Sequence, residues 1–217
     1  MSDKFKQKIK SYYHALRNTR IYGIFNTLCN LFFRHNNLLF TKLFKAGFGR
    51  NRIVIGRNVV LRHCRFEIHG SGNTVIIGDN CRFSGLRIFI SVGKNKVEIG
   101  KSTFVFADKK QRTMFNACEG GEITIGDNCL FSNSIELHTT DYHKILEDGR
   151  YTNPPKNIHI GSHCWIGLQC LILKGTSIAD NVIVGARSLL NKEFPESNAV
   201  IAGNPAGIVK RDVTWDF

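Results

Sequence analysis

Two histidines, His138 and His143, bracket a polar run in Leu137-His138-Thr139-Thr140-Asp141-Tyr142-His143-Lys144. An imidazole titrates near neutral pH and takes a proton from a hydroxyl, which suits either ring to general-base work if a loop carries it to a cleft. Asp141 has three readings: it orients an imidazole, contacts a substrate hydroxyl, or steadies the loop by an Asx turn. Zinc chemistry at His138 and His143 would need a third protein ligand, and residues 70–137 contain no histidine. His14, His35, His63, His69 and His159 read as surface or packing residues. The seven cysteines form no C-x-x-C pair, as expected of reduced thiols.

The elements that must position these groups come from a repeat. Aliphatic-x-aliphatic-Gly units recur at Ile53–Gly56, Val75–Gly78, Val97–Gly100, Ile123–Gly126, Ile158–Gly161 and Val182–Gly185. From Ile160 the aliphatic residues fall six apart, at Ile166, Ile172, Ile178, Val184 and Leu190. Six is no helical period, and it is shorter than a hairpin sandwich gives. It fits short strands joined by tight turns, each inward aliphatic stacked on the next. The fourth residue after each aliphatic should point inward and be small; Cys81, Thr103, Cys129, Cys164, Cys170 and Val182 stand there. The cysteines therefore read as inert core residues.

Residues 107–121 and 139–157 break this phase, and a solenoid ejects loops where function needs them. Residues 53–194 form the solenoid, and residues 195–217, with Pro195 and Pro205, read as a cap on the last coil. Residues 1–52 are different: 11 Lys and Arg stand against the single acid Asp3, with apolar residues at three- and four-residue steps from Tyr12 to Phe44. This basic helical segment either packs on the protein or a sister subunit, or lies on an anionic membrane surface through residues 1–48. It accounts for most of the net charge of +13, so the body has no basic face of the kind nucleic acid requires. No signal peptide or spanning segment is visible, and the expected location is cytoplasmic, at the inner membrane surface if the helices bind it.

The repeat resembles the hexapeptide signature of left-handed parallel β-helix acetyltransferases, from Ile53 to about Lys210. Handedness comes from the resemblance alone, because ordinary parallel crossovers are right-handed. Within that family the chain is similar to polysaccharide and small-molecule O-acetyltransferases, which carry a Ser/Thr-x-Asp-x-His-like loop, an Asn-Pro return and an Ile-Gly-x-x-x-Trp-Ile-Gly coil. Here these read Thr139–His143, Asn153-Pro154-Pro155 and Ile160–Gly167. The resemblance implies an acetyl-CoA-dependent O-acetyltransferase acting on a hydroxyl of a cell-surface polysaccharide or its sugar precursor. It makes His143 the catalytic base, with Asp141 beside it, and Trp165 the aromatic that lines the transfer site. Leu168 and Ala186 would offer backbone groups to the pantetheine arm. Asn191, Lys192 and Lys210, the last just after Ala202-Gly203-Asn204-Pro205-Ala206, would lie near the adenosine phosphates. A homotrimer, with the site between subunits, is the implied assembly. Three other readings stand beside this one: N-acetylation of an amino sugar or small xenobiotic, a γ-type carbonic anhydrase, and a scaffold without catalysis. Acceptor profiling, metal analysis and CoA binding separate them.

Overall fold

In a computed structural model of the chain, residues 51–108 and 110–217 are described. The expected helical segment and its membrane contact lie outside them, except that Arg52, assigned to that segment, opens the first strand at Arg52–Ile55. The described chain is a three-faced parallel β-helix. Successive strands fall in turn on a seven-stranded, an eight-stranded and a six-stranded sheet, and each strand pairs with its counterpart one coil away.

Strand alternation builds the core. On the first face Ile55, Ile77, Ile99, Ile125, Ile160 and Ile178 follow one another in register, ending on Phe194. Leu61, Phe83, Val105, Phe131, Ile166, Val184 and Ile201 do the same on the second face. All are buried. Each such side chain contributes about 1.5–3 kcal/mol relative to exposure, so the stacked ladders are the main stabilising term. The small residues expected inward are buried as well. Several cysteines there donate to a carbonyl of the next coil, as Cys81 Sγ does to Gly100 O at 3.1 Å and Cys170 Sγ to Gly185 O at 3.1 Å. Burial pushes the Cys64 and Cys81 thiols up to about 12, which leaves them unreactive.

The corners explain the Gly-Asp-Asn motif. Asp79 Oδ1 accepts the Arg57 N–H of the preceding coil at 2.7 Å, and Asp127 Oδ1 accepts that of Lys101 at 2.9 Å. A Cβ on Gly78 would lie 2.5 Å from Lys101 N, so no side chain fits between the coils there. A second corner is held by a buried asparagine ladder: Asn73 N–H donates to Asn51 Oδ1 at 2.9 Å, and Asn95 N–H to Asn73 Oδ1 at 3.0 Å.

The six-residue spacing holds only late in the chain. Corner contacts join residues 22 apart in the first coils and 18 apart near the end. The third face explains the difference, because its early strands Leu86–Ser91 and Thr113–Cys118 have six residues each. This corrects the expectation of a loop over 107–121. Residues 113–118 are a strand with Phe115 and Ala117 in the core, and the Phe115 ring meets Phe131 edge-on at 5.5 Å. The excursion is confined to a turn after Ala107, closed by Asp108 Oδ1 accepting the Lys110 and Gln111 N–H groups at 2.6 Å.

Past residue 194 the second sheet continues through Ala199–Gly203, which turns back as Ala206–Lys210 in antiparallel pairing. The last residues then run along the outside of the second face, where Trp215 is buried. No helix among the described residues is long and apolar enough to cross a membrane.

Candidate active site

The interruption at 139–157 leaves the prism after strand Glu136–His138 of the third face and returns at Ile158–Ile160 of the first. Its neck is tied to the coils. Thr139 is fully buried: its Oγ1 accepts the Cys118 N–H at 2.9 Å and donates to Cys118 O at 3.1 Å. Lys156 N–H closes the neck on Thr139 O at 3.0 Å. Beyond it the loop is a small antiparallel hairpin, Leu146–Glu147 against Arg150–Tyr151. Asp148 and Gly149 turn it with positive φ of 48° and 74°, as a two-residue Asp-Gly hairpin turn requires.

Inside the neck three consecutive side chains are each bonded to a different partner. Thr140 Oγ1 donates to Glu119 Oε2 at 3.0 Å. Asp141 Oδ2 meets Lys174 Nζ at 2.6 Å and accepts from Asn153 Nδ2 at 2.8 Å. The Lys174 ammonium beside Asp141, helped by Asn153, holds its carboxyl below the usual carboxylate range. Tyr142 Oη lies 3.0 Å from His138 Nδ1, and His138 Nε2 lies 3.0 Å from Glu136 Oε2. Next comes His143. Its backbone carbonyl accepts from Asn153 Nδ2 at 2.9 Å, while its imidazole is exposed and has no hydrogen-bond partner among the described residues.

Tyr142 holds a φ of 63°, a left-handed conformation that costs an ordinary residue about 1–2 kcal/mol. Burial pushes its phenol up to about 12, so Oη keeps its proton at neutral pH. The Asp141 carboxylate faces Lys174 and Asn153, on the following coil and the returning limb of the loop.

Trp165 lies elsewhere. It is on the second face, paired with Leu130 and Ile183, and the residue is 39% exposed. Trp215 of the chain end packs near it, with ring centroids 6.1 Å apart. Trp215 also stacks on the His163 imidazole at 4.7 Å and donates its indole N–H to His163 O at 2.8 Å. Leu168 and Ala186 are exposed at one corner, a coil apart, and the Leu168 carbonyl accepts the Arg187 N–H at 2.7 Å. Asn191 and Lys192 are exposed at another corner, with Lys192 Nζ 5.6 Å from the Phe194 ring centre. Lys210 is exposed on the C-terminal hairpin.

One chain therefore brings together part of the expected set. Asp141 and His143 share the loop. Asn191 and Lys192 lie at the corner from which the loop springs, with Lys174 at the intervening coil. Trp165, Leu168, Ala186 and Lys210 belong to the second face and its edges, which the loop's corner does not border. Lys174, Glu136, Tyr142 and Trp215 were missed as parts of the site. Lys174 had no sequence signal beyond its place at a coil corner. Among the described residues no group of three or more His, Cys, Asp or Glu converges as a metal site.

A triangular parallel prism with an ejected histidine loop defines a class, the hexapeptide-repeat acyltransferases. No family model matches the chain. Individual relatives do. The chain is 34% identical over 183 residues to a polysialic acid O-acetyltransferase of Neisseria meningitidis, covering 76% of this chain and 85% of that one. Among solved structures it is similar to the polysialic acid O-acetyltransferase OatWY, with TM-score 0.72 and 34% identity over 77% of each chain. It is also similar to the polySia-specific acetyltransferase NeuO, with TM-score 0.54 and 26% identity over 77% of this chain and 76% of that one. The chain belongs to the left-handed β-helix, hexapeptide-repeat O-acetyltransferases of the polysaccharide-modifying type, and it is an acyltransferase.

Proposed function

We propose that the protein transfers an acetyl group from acetyl-CoA to a hydroxyl of a polysaccharide or its sugar precursor, with His143 as the base. The observation that carries this reading is the contrast within the loop. The side chains of residues 140–142 are all bonded to other groups of the protein, whereas the His143 imidazole is exposed and has no hydrogen-bond partner among the described residues. The acceptor class follows from family membership, since the relatives named above act on polysialic acid.

In this reading the His143 imidazole accepts the acceptor's hydroxyl proton as its oxygen attacks the thioester carbonyl. The tetrahedral adduct collapses by breaking the C–S bond, and the imidazolium returns its proton to the leaving thiolate. Trp165 walls the transfer site. Leu168 and Ala186 flank the pantetheine arm, and Asn191, Lys192 and Lys210 attract the phosphates by charge and hydrogen-bond donation.

Because the loop and Trp165 lie on different sides of one prism, the reading needs two chains, with the loop of one facing the coils of the next. A homotrimer supplies three such clefts, and analytical ultracentrifugation of the full chain tests it. Residues 1–48 either pack in that trimer or rest on an anionic membrane, and co-sedimentation with anionic vesicles separates the two.

The test of the chemistry is His143→Ala with acetyl-CoA and an oligosaccharide acceptor. Removing a general base should lower kcat by roughly 10²–10⁴-fold with the fold intact by circular dichroism. A folded variant that turns over like the parent refutes the assignment.

A further inference from the structure

The reaction uses neither Glu136, His138 nor Tyr142, yet these three form one continuous chain from the third face into the loop. Their order is fixed by their chemistry. Glu136 Oε2 accepts from His138 Nε2–H, which leaves Nδ1 as the acceptor for the Tyr142 hydroxyl. The two rings meet edge to face at 5.8 Å. Glu136 and His138 belong to a strand paired on both sides, to Met114–Asn116 and to Leu171–Leu173, so the anchor is rigid.

The residue at the free end of that chain has a left-handed backbone, as do fifteen other non-glycine residues among those described. Tyr142 has a φ of 63° and, unlike Asn or Asp, no short side chain to stabilise that turn locally. Its ring is instead tied to His138, and its N–H donates to Thr140 Oγ1 at 3.1 Å. A left-handed residue directly before the candidate base, with its hydroxyl anchored on a strand outside the loop, points to a positional role.

We propose that Tyr142 is a positioning residue: seated on His138, it sets the turn at 142 and so the direction in which the His143 imidazole leaves the loop. This rests on the reading of His143 as the base. Thr140 on Glu119 and Asp141 on Lys174 fix the neck, and Tyr142 fixes the last bond before the catalytic ring.

The test is a kinetic double-mutant cycle on the full chain with Tyr142→Phe, His138→Gln and the pair, alongside Tyr142→Gly and His143→Ala. Misplacing a base by a fraction of an ångström lowers kcat roughly ten- to a hundredfold, so Tyr142→Phe should do so while KM for acetyl-CoA stays within about twofold. His138→Gln should lose as much, and the pair no more than either alone, because both remove one contact. Tyr142→Gly relaxes the backbone without restoring the phenol, so it should melt no lower than the parent and still lose activity. Parent-like kcat in Tyr142→Phe or Tyr142→Gly, or multiplicative losses in the pair, overturns the proposal. If His143→Ala is inactive while Tyr142→Phe is parent-like, only the positioning role falls. If His143→Ala is active, the base assignment falls and takes this role with it.

Discussion

Lys174 Nζ sits 2.6 Å from Asp141 Oδ2 and, with its other protons, reaches the carbonyls of Asn153 at 2.7 Å and Pro154 at 3.1 Å. A single ammonium on one coil thus grips both limbs of the loop ejected by the coil before it. The outgoing limb is held by its carboxylate and the returning limb by backbone oxygens. Asn153 completes the clamp by bonding Asp141 and the His143 carbonyl.

Replacing Lys174 with Met keeps the stem and removes every one of those donors. Asp141 is partly exposed, so the ion pair alone is worth about 1 kcal/mol or less. The charged bonds to two carbonyls add about 1.5–3 kcal/mol of anchorage each, which is felt by the loop and not by the coils. The expected outcome is faster protease cleavage within residues 144–152 and a kcat lower by roughly tenfold or more. A parent-like cleavage rate would show that the clamp does not hold the loop.

The same clamp has a pH signature. The Asp141 carboxyl is lowered in the folded protein, first by Lys174 and then by Asn153. A lowered carboxylate contributes anchorage that is complete above its unfolded value, near 4, and is lost as pH falls through the folded value below that. The Asn153 side-chain amide resonances should therefore hold steady from pH 7 to about 4 and move only in stronger acid. In Lys174→Met that transition should shift upward. A parent transition at or above the ordinary aspartate range contradicts the clamp.

The prism was legible because its signal is local and repeated. Val75-Ile-Ile77-Gly78 and Ile123-Thr-Ile125-Gly126 each state a strand and a corner in four letters, and the inward cysteines follow at a fixed offset. The loop at 139–157 was legible as a break in that phase. The same logic misjudged 113–118, where Asn116 and Cys118 disguise the alternation: both are buried because the loop neck covers them. The clamp and the chain end were not legible. Lys174 meets Asn153 from 21 residues away, and Trp215 meets His163 from 52, and no periodicity links either pair. Tyr142 could be read as a loop aromatic, but its anchor on His138 depends on a turn that only the backbone discloses.

The corner glycines give a test of the stacking itself. A Cβ on Gly78 would stand 2.5 Å from Lys101 N and 2.7 Å from Gly100 C, both backbone atoms that cannot yield. Gly78→Ala should cost about 3 kcal/mol in urea unfolding. Gly207 has nothing within 4 Å of such a carbon, and Gly207→Ala should stay within about 0.5 kcal/mol of the parent. Equal effects at the two positions would contradict the close coil-to-coil contact at residue 78.

The chain end should behave as a structural strap on the second face. Val213 N–H bonds Asn198 O at 3.0 Å, Trp215 stacks on His163 and meets Phe217 edge-on at 4.9 Å, and Phe217 reaches Phe104 edge-on at 5.3 Å. Trp215 is 8% exposed, whereas Trp165 is 39% exposed, and the sequence holds no other tryptophan. Trp165→Phe should thus leave a blue-shifted, quencher-resistant emission from Trp215, and Trp215→Phe a redder, quenchable one from Trp165. Trp215→Ala should destabilise by about 3 kcal/mol, since it deletes a buried indole and strands the His163 carbonyl. It should also increase quenching of Trp165 by acrylamide, because the neighbouring ring is gone. Unchanged quenching together with parent-like unfolding would mean that the last residues do not pack on the face that carries Trp165.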